Sequence, residues 1–247
     1  MKLIRVHNGE WLVSFVKMYY NTDIMWGKNM KKTTILFDLD NTLIDRLEAA
    51  KKTYYTFINE TFVDASEDFK DRVFAELFEL DKNGVTPKNE VFGPIEQKYN
   101  LEKGWTLDKL ERWSDVLASN TVTFEGTKET LEKLKPEYKL GIISNGPVQA
   151  QSMKLEKSGI KSLFEMILFT GEIGIYKPDP RVFLEGCKRI GCTPEEAYYV
   201  GDNIPFDIEG SRNAGLSPIF IWRDDSFSVE GVPRIYRIEE LLSIILV

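Results

Sequence analysis

Eight residues in four short stretches of this sequence have the types and spacing that could do chemistry. The first stretch, Thr33 to Asp45 (TTILFDLDNTLID), contains Asp38, Asp40 and Thr42; the others contribute Ser144 with Asn145, Lys177, and Asp202 with Asp207. Two carboxylates two positions apart at the end of an apolar run are costly unless a metal or a reaction uses them. Hydroxyls, an amide and a lysine are the groups that bind a phosphate. Each residue alone also has a structural reading. Asp38 to Thr42 could cap a helix and form a turn, Ser144 and Asn145 could be a turn, Lys177 a solvated charge, and Asp202 and Asp207 helix caps. The functional reading rests on all four stretches falling, in order, after successive apolar runs.

Those runs define the elements. Thr34 to Phe37 is a continuous apolar or β-branched run, the signature of a strand buried on both faces of a parallel sheet. Leu140 to Ile143, Met166 to Phe169, Tyr198 to Val200 and Ile219 to Trp222 read as four further strands. Between them lie helical patterns at Thr127–Leu134, Pro147–Ser158, Pro180–Ile190 (Asp179 as N-cap, Gly191 as stop) and Asp207–Ala214, with Ile238–Ile244 as a last helix. Strand–helix alternation predicts an α/β fold with a doubly wound, Rossmann-like parallel sheet. Side chains alternate along a strand, so Asp38 and Asp40 are expected on one side at its C-terminal edge, where such sheets bind ligands.

From Leu47 to about Val122 the pattern changes to helices rich in aromatic residues, with no strand signal. Tyr54, Phe57 and Ile58 mark one helical face. Asp64 with Glu67 suggests a capping box ahead of Phe69, Val73, Phe74, Leu77 and Phe78, and Asn83 with Gly84 suggests a stop. Leu107, Leu110, Trp113 and Leu117 mark another helix. The aromatics read as core rather than ligand contacts. The expected organisation is a discontinuous core at 31–46 and 123–247, with an all-helical insert at 47–122. Residues 1–30 read as an appendage outside the fold or the product of an upstream start, since the strand pattern begins only after Met30. Trp11, Phe15 and Tyr19 keep open a helix packed on the core.

Composition removes several function classes. A net charge of -7 argues against a general nucleic-acid binder, which needs basic patches. With His7 as the sole histidine, a histidine-based triad or multi-histidine metal site is excluded by count. No apolar stretch has the length of a membrane span. Cys187 and Cys192 lack zinc-ligand or redox-motif spacing and read as packing or surface thiols in a reducing, cytoplasmic setting.

DLDNT, ISN, the lysine of YKPDP, and GDNIPFD resemble, in order and spacing, the four motifs of the haloacid-dehalogenase-like (HAD) hydrolases. The resemblance covers about 31–247, with the helical insert in the place of this superfamily's cap domain. It is nearest to the capped small-molecule phosphatases, such as phosphoglycolate, N-acylneuraminate-9-phosphate and pyrimidine-nucleotide phosphatases. Members that dehalogenate lack the second aspartate, so Asp40 argues against that activity.

The resemblance implies an aspartyl-phosphate mechanism. Asp38 attacks phosphorus; Asp40 protonates the leaving oxygen and then takes a proton from the hydrolytic water. A neighbouring carboxylate is expected to raise the pKa of Asp40 and help it hold that proton. Thr42, Ser144 and the backbone near Asn145 donate to phosphoryl oxygens, and Lys177 neutralises phosphoryl charge and steadies Asp38. Four carboxylates meeting a phosphate dianion with one lysine require a cation, because each like-charge contact at ~4 Å costs about 4 kcal/mol at an effective dielectric of about 20. All-oxygen ligands suit Mg2+. The resemblance implies Asp38, the Asp40 carbonyl and Asp202 as ligands, with Asp207 orienting Lys177 or a metal-bound water. The expected partner is a small phosphorylated metabolite, whose identity the sequence does not carry; nor does it carry the oligomeric state. The rivals are a phosphomutase of the same superfamily, a phospho-receiver signalling module and an inactive binding module.

Overall fold

The computed structural model describes residues 31–246 except Val85, and the expectation for residues 1–30 lies outside that range. β1 (Thr34–Phe37) is buried at every residue, as its unbroken apolar run requires. It pairs in parallel with β2 (Lys139–Ser144) on one side and β4 (Ala197–Gly201) on the other. β3 (Met166–Phe169), β5 (Ser217–Ile221) and β6 (Arg234–Ile235) complete a parallel sheet in the order β3-β2-β1-β4-β5-β6. The strand order reverses between β1 and β4, and a crevice at that switch point is where open α/β sheets bind ligands.

Strand alternation sends Ile35 and Phe37 into one hydrophobic layer with Ile142, Val200 and Leu131, and Leu36 into the other with Ile143, Tyr199 and Phe183. Helices α5 (Thr127–Leu134), α6 (Val148–Lys157), α7 (Pro180–Ile190), α8 (Gly210–Asn213) and α9 (Leu241–Ile245) accompany the sheet. The helix expected at Asp207–Ala214 begins earlier, with a π-helical stretch at Ile204–Glu209 before α8. The strand expected at Ile219–Trp222 lies two residues earlier at its start, and β6 is too short to show a pattern.

The segment between β1 and α5 holds four helices: α1 (Arg46–Thr61), α2 (Glu67–Asp81), α3 (Lys88–Lys98) and α4 (Trp105–Ser119). They share a hydrophobic cluster of their own, in which Tyr54, Phe57 and Phe92 are fully buried and Trp113 packs within 6.4 Å of each ring. The aromatic residues thus act as core. The cap of α2 is Ser66, whose hydroxyl accepts from Phe69 N at 3.4 Å, not Asp64; serine directly before the helix competes better than an aspartate three residues out. The two connections to this helical segment run side by side: Asp45 N donates to Val122 O at 2.9 Å, and Asp45 caps α1 by accepting from Glu48 N at 2.8 Å. α4 also packs against α6. Among the described residues, no helix is long and apolar enough to cross a membrane.

Candidate active site

β1 and β4 end side by side in Asp38 and Asp202, at the switch point. A main-chain bond from Asp38 N to Val200 O at 2.9 Å carries the pairing one residue past β1 and sets the Asp38 side chain. Asp207, on the π-helical stretch, comes back against β4, and Gly201 makes this possible: a Cβ there would lie 2.5 Å from the Asp207 carboxyl. Carboxylate oxygens of Asp38, Asp202 and Asp207 consequently lie within 4.8 Å of one another.

Lys177 enters this cluster from the loop after β3. Its Nζ donates to Asp38 Oδ1 at 2.6 Å, Asp207 Oδ1 at 2.7 Å and the Tyr199 hydroxyl at 3.0 Å, and its side chain is 3% exposed. Tyr199 in turn donates to Ile143 O at 2.9 Å. Asn145 holds the lysine's backbone reciprocally: Nδ2 donates to Lys177 O at 3.1 Å, and Lys177 N donates to Asn145 Oδ1 at 2.9 Å. The second Asp207 oxygen accepts from Asn203 N at 3.0 Å. Asp207 therefore has both oxygens engaged, whereas Asp202 has no ion pair among the described residues.

One ammonium among three clustered carboxylates, Asp38 and Asp207 buried and Asp202 half-buried, leaves an excess of negative charge. Burial, with Asp207 and Asp40 adding to it against Lys177, pushes the Asp38 carboxyl up to about 7. Burial and the nearby Asp38 and Asp207 push Asp202 up to about 8. Burial disfavours charge on Lys177, but the Asp207 and Asp38 carboxylates outweigh it and hold its proton well above the usual lysine range.

Asp40 differs from the expectation. Burial alone would raise its pKa, but the Lys154 ammonium and hydrogen bonds from Lys154 and Gln151 outweigh it, so the carboxyl is held below its ordinary value. Its close neighbour is a lysine nearly two turns into α6 rather than another carboxylate. Asp38, Asp40, Ser144, Asn145, Lys177, Asp202 and Asp207 all line one pocket of about 180 Å³, with Phe206 at its rim. Thr42 does not line it: the residue is fully buried, and its hydroxyl has no partner among the described residues. A second pocket of about 360 Å³ shares Asn41 and Asp202 and is walled by Arg46, Leu47, Phe124, Trp222 and Arg223.

Motif reading missed Tyr199, Gln151 and Lys154. Gln151, Lys154 and Leu155 are the buried residues of α6, spaced i, i+3, i+4. Two polar side chains on the inward stripe of a helix were the available signal.

The match to known proteins agrees with this geometry. Residues 35–221 match the haloacid dehalogenase-like hydrolase family. The glyceraldehyde 3-phosphate phosphatase of Methanothermobacter thermautotrophicus is 31% identical over 191 residues, 76% of this chain and 84% of that protein. Human N-acylneuraminate-9-phosphatase is 30% identical over 200 residues, covering 74% and 79% respectively. In the fold, the HAD hydrolase YfnB of Bacillus subtilis, solved with magnesium bound, superposes with a TM-score of 0.69 at 23% identity, covering 88% of this chain and all of that one. The chain belongs to the haloacid dehalogenase-like hydrolases.

Proposed function

We propose that this hydrolase is a Mg2+-dependent phosphomonoesterase acting on a small phosphorylated metabolite through an aspartyl-phosphate on Asp38. The observation that carries the reading is the pairing of Asp38 with Lys177 at the head of an open pocket. One carboxylate oxygen is fixed by the lysine at 2.6 Å, which leaves Oδ2 for in-line attack on phosphorus. Ser144 and main-chain groups near Asn145 would receive the phosphoryl oxygens, with Lys177 offsetting their charge. Thr42 would serve from the buried loop behind the nucleophile, as a hydroxyl donor or as a loop anchor.

The donor set fits a hard divalent cation. Three carboxylates within 4.8 Å of one another, two of them buried and two with raised proton affinity, are short of positive charge by the amount such an ion provides. Asp38, Asp202 and the Asp40 carbonyl would hold it, with Asp207 occupied in orienting Lys177. Bound there, Mg2+ would screen the phosphate from the carboxylates and polarise a phosphoryl oxygen. Asp40, held as a carboxylate by Lys154, suits removal of a proton from the attacking water in the second step. The dianionic substrate arriving beside it raises its proton affinity for the first.

The test is the fate of phosphate from triose, N-acylneuraminate and pyrimidine-nucleotide monoesters, chosen from what the similar phosphatases are named for. Stoichiometric release of free phosphate is expected. Phosphate moved to another position of the substrate would make the protein a mutase, and phosphate retained on the protein without turnover would make it a receiver.

The helical segment 47–122 is proposed as the cap that excludes water in the first step and selects the substrate. Replacing 48–121 with a short Gly/Ser linker should raise KM for the preferred metabolite by about tenfold or more, at ~1.4 kcal/mol of lost contact per decade. Hydrolysis of a small aryl phosphate should fall less. A folded truncation with the parent's ranking of substrates would mean that the core alone does the selecting.

A further inference from the structure

The carboxylate of Asp40 is fixed by two residues of α6 that lie outside the four motifs. Lys154 Nζ donates to both of its oxygens at 2.7 Å. Gln151 Nε2 donates to Asp40 Oδ2 at 3.0 Å, to Ser144 Oγ at 2.7 Å and to Asn145 O at 3.2 Å. Lys154 is 8% exposed and Gln151 2%, so both have given up water for these contacts. Fold stability does not account for the arrangement, since an ion pair taken out of water contributes little net and a well-packed apolar pair would serve as well. Its position does. The Asp40 side chain keeps 21% exposure against 10% for Lys154, and Asp40, unlike Lys154, lines the pocket. Gln151 links that carboxylate directly to Ser144, on the neighbouring strand end.

We infer that Lys154 and Gln151 are positioning residues that fix the Asp40 carboxylate beside Ser144, where it meets both the leaving oxygen and the hydrolytic water. The inference rests on the phosphatase reading above. In the first step the Asp38 oxygen–phosphorus bond forms, the bond to the leaving oxygen breaks, and the Asp40 proton passes to that oxygen. In the second, water oxygen bonds to phosphorus, the Asp38–phosphorus bond breaks, and a water proton returns to Asp40. Lys154 keeps all three of its protons throughout. Its task is geometric, and a displacement of about 1 Å at such a group can cost roughly 100-fold in rate.

The test is a double-mutant cycle on the full chain with Mg2+ present, using β-glycerophosphate, whose alkoxide leaves poorly, and para-nitrophenyl phosphate, whose phenolate leaves readily. Lys154→Met is expected to lower kcat for the alkyl ester by roughly 100-fold, with KM within about twofold, and to lower it less for the aryl ester. In an Asp40→Asn background, adding Lys154→Met should change kcat by no more than about twofold, because the group it positions is already disabled. Lys154→Arg should restore much of the loss. Losses that multiply in the double variant, or an equal fall for both esters, would show that Lys154 acts elsewhere and would overturn the inference. If Lys154→Met does not fold by circular dichroism, Gln151→Leu carries the same cycle and is read the same way. A wild-type protein that hydrolyses neither ester removes the underlying phosphatase reading. A wild type active on both, impaired by Asp40→Asn and untouched by Lys154→Met and Gln151→Leu, removes the positioning role alone.

Discussion

Asp38→Asn is expected to lose turnover by about four orders of magnitude or more, the scale seen when a nucleophile is removed. An amide oxygen is a far weaker nucleophile than a carboxylate, and no neighbour is placed to take over. Asp207 has both oxygens engaged by Lys177, Tyr199 and Asn203, and Asp40 is held by Lys154. Asp202 has no ion pair among the described residues, but it is the carboxylate proposed to hold the cation. Steady-state release of phosphate measures the loss. The variant should nonetheless fold: Asn is the same size, Lys177 keeps its 2.7 Å bond to Asp207, and one of three mutually repelling carboxylates is neutral. Without metal and above neutral pH its melting temperature should equal or exceed that of the parent. Activity near the parental level in a folded variant would mean that another group is attacked.

How much of this was legible in the sequence depended on the physical origin of each feature. β1, β2 and β4 could be read because strands covered on both faces are apolar without interruption, and polar residues at their C-terminal ends stand out against that background. The parallel sheet followed from strand–helix alternation. β6, two residues long, owes its existence to the edge of β5 and carries no pattern of its own. The π-helical stretch at Ile204–Glu209 was hidden because Asn203 caps it by accepting from Phe206 N at 3.0 Å, while a period reading anchors on Asp207. Helix α2 was read correctly in its apolar face and misread in its cap, where Asp64 and Ser66 are both acceptable by type.

At the site, the motif residues announced the acids, the lysine and the places of Asp38 and Asp207 beside Lys177, but not the partner of Asp40. Spacing placed Asp38 and Asp40 together, and the neighbouring carboxylate was expected to raise the pKa of Asp40. The chain gives Asp38 to Lys177 as expected, but pairs Asp40 with Lys154, from an element more than a hundred residues downstream. Such long-range pairing decides the sign of the shift at Asp40, and nothing local encodes it. Tyr199 illustrates the same limit. Within β4 it looks like any aromatic core residue, and only its 3.0 Å contact with Lys177 makes it part of the site.

Removal of divalent metal should abolish turnover and, separately, make stability depend on pH in a particular direction. In the metal-free protein, Asp38 at about 7 and Asp202 at about 8 stand above the ordinary carboxylate value of 3.8. A group whose pKa is raised on folding stabilises fully below its unfolded value, and that contribution is lost as pH rises through the folded value. The chelated protein should therefore lose stability steadily from about pH 4 to about pH 8. Mg2+ binds the deprotonated carboxylates, so the stability it adds should grow over the same interval, reaching ~2.7 kcal/mol at a hundredfold excess over Kd. For a chain of this size that is a rise of roughly 5–10 °C in Tm. The quantity to measure is the difference between melting curves with excess Mg2+ and with EDTA, taken across that pH range. Cys192, drawn down to about 7 mainly by Cys187, titrates in the same interval but contributes equally with and without metal. Asp202→Asn should flatten the difference. A Tm that is independent of Mg2+ at the alkaline end, together with full activity in EDTA, would remove the cation from both the fold's charge balance and the reaction.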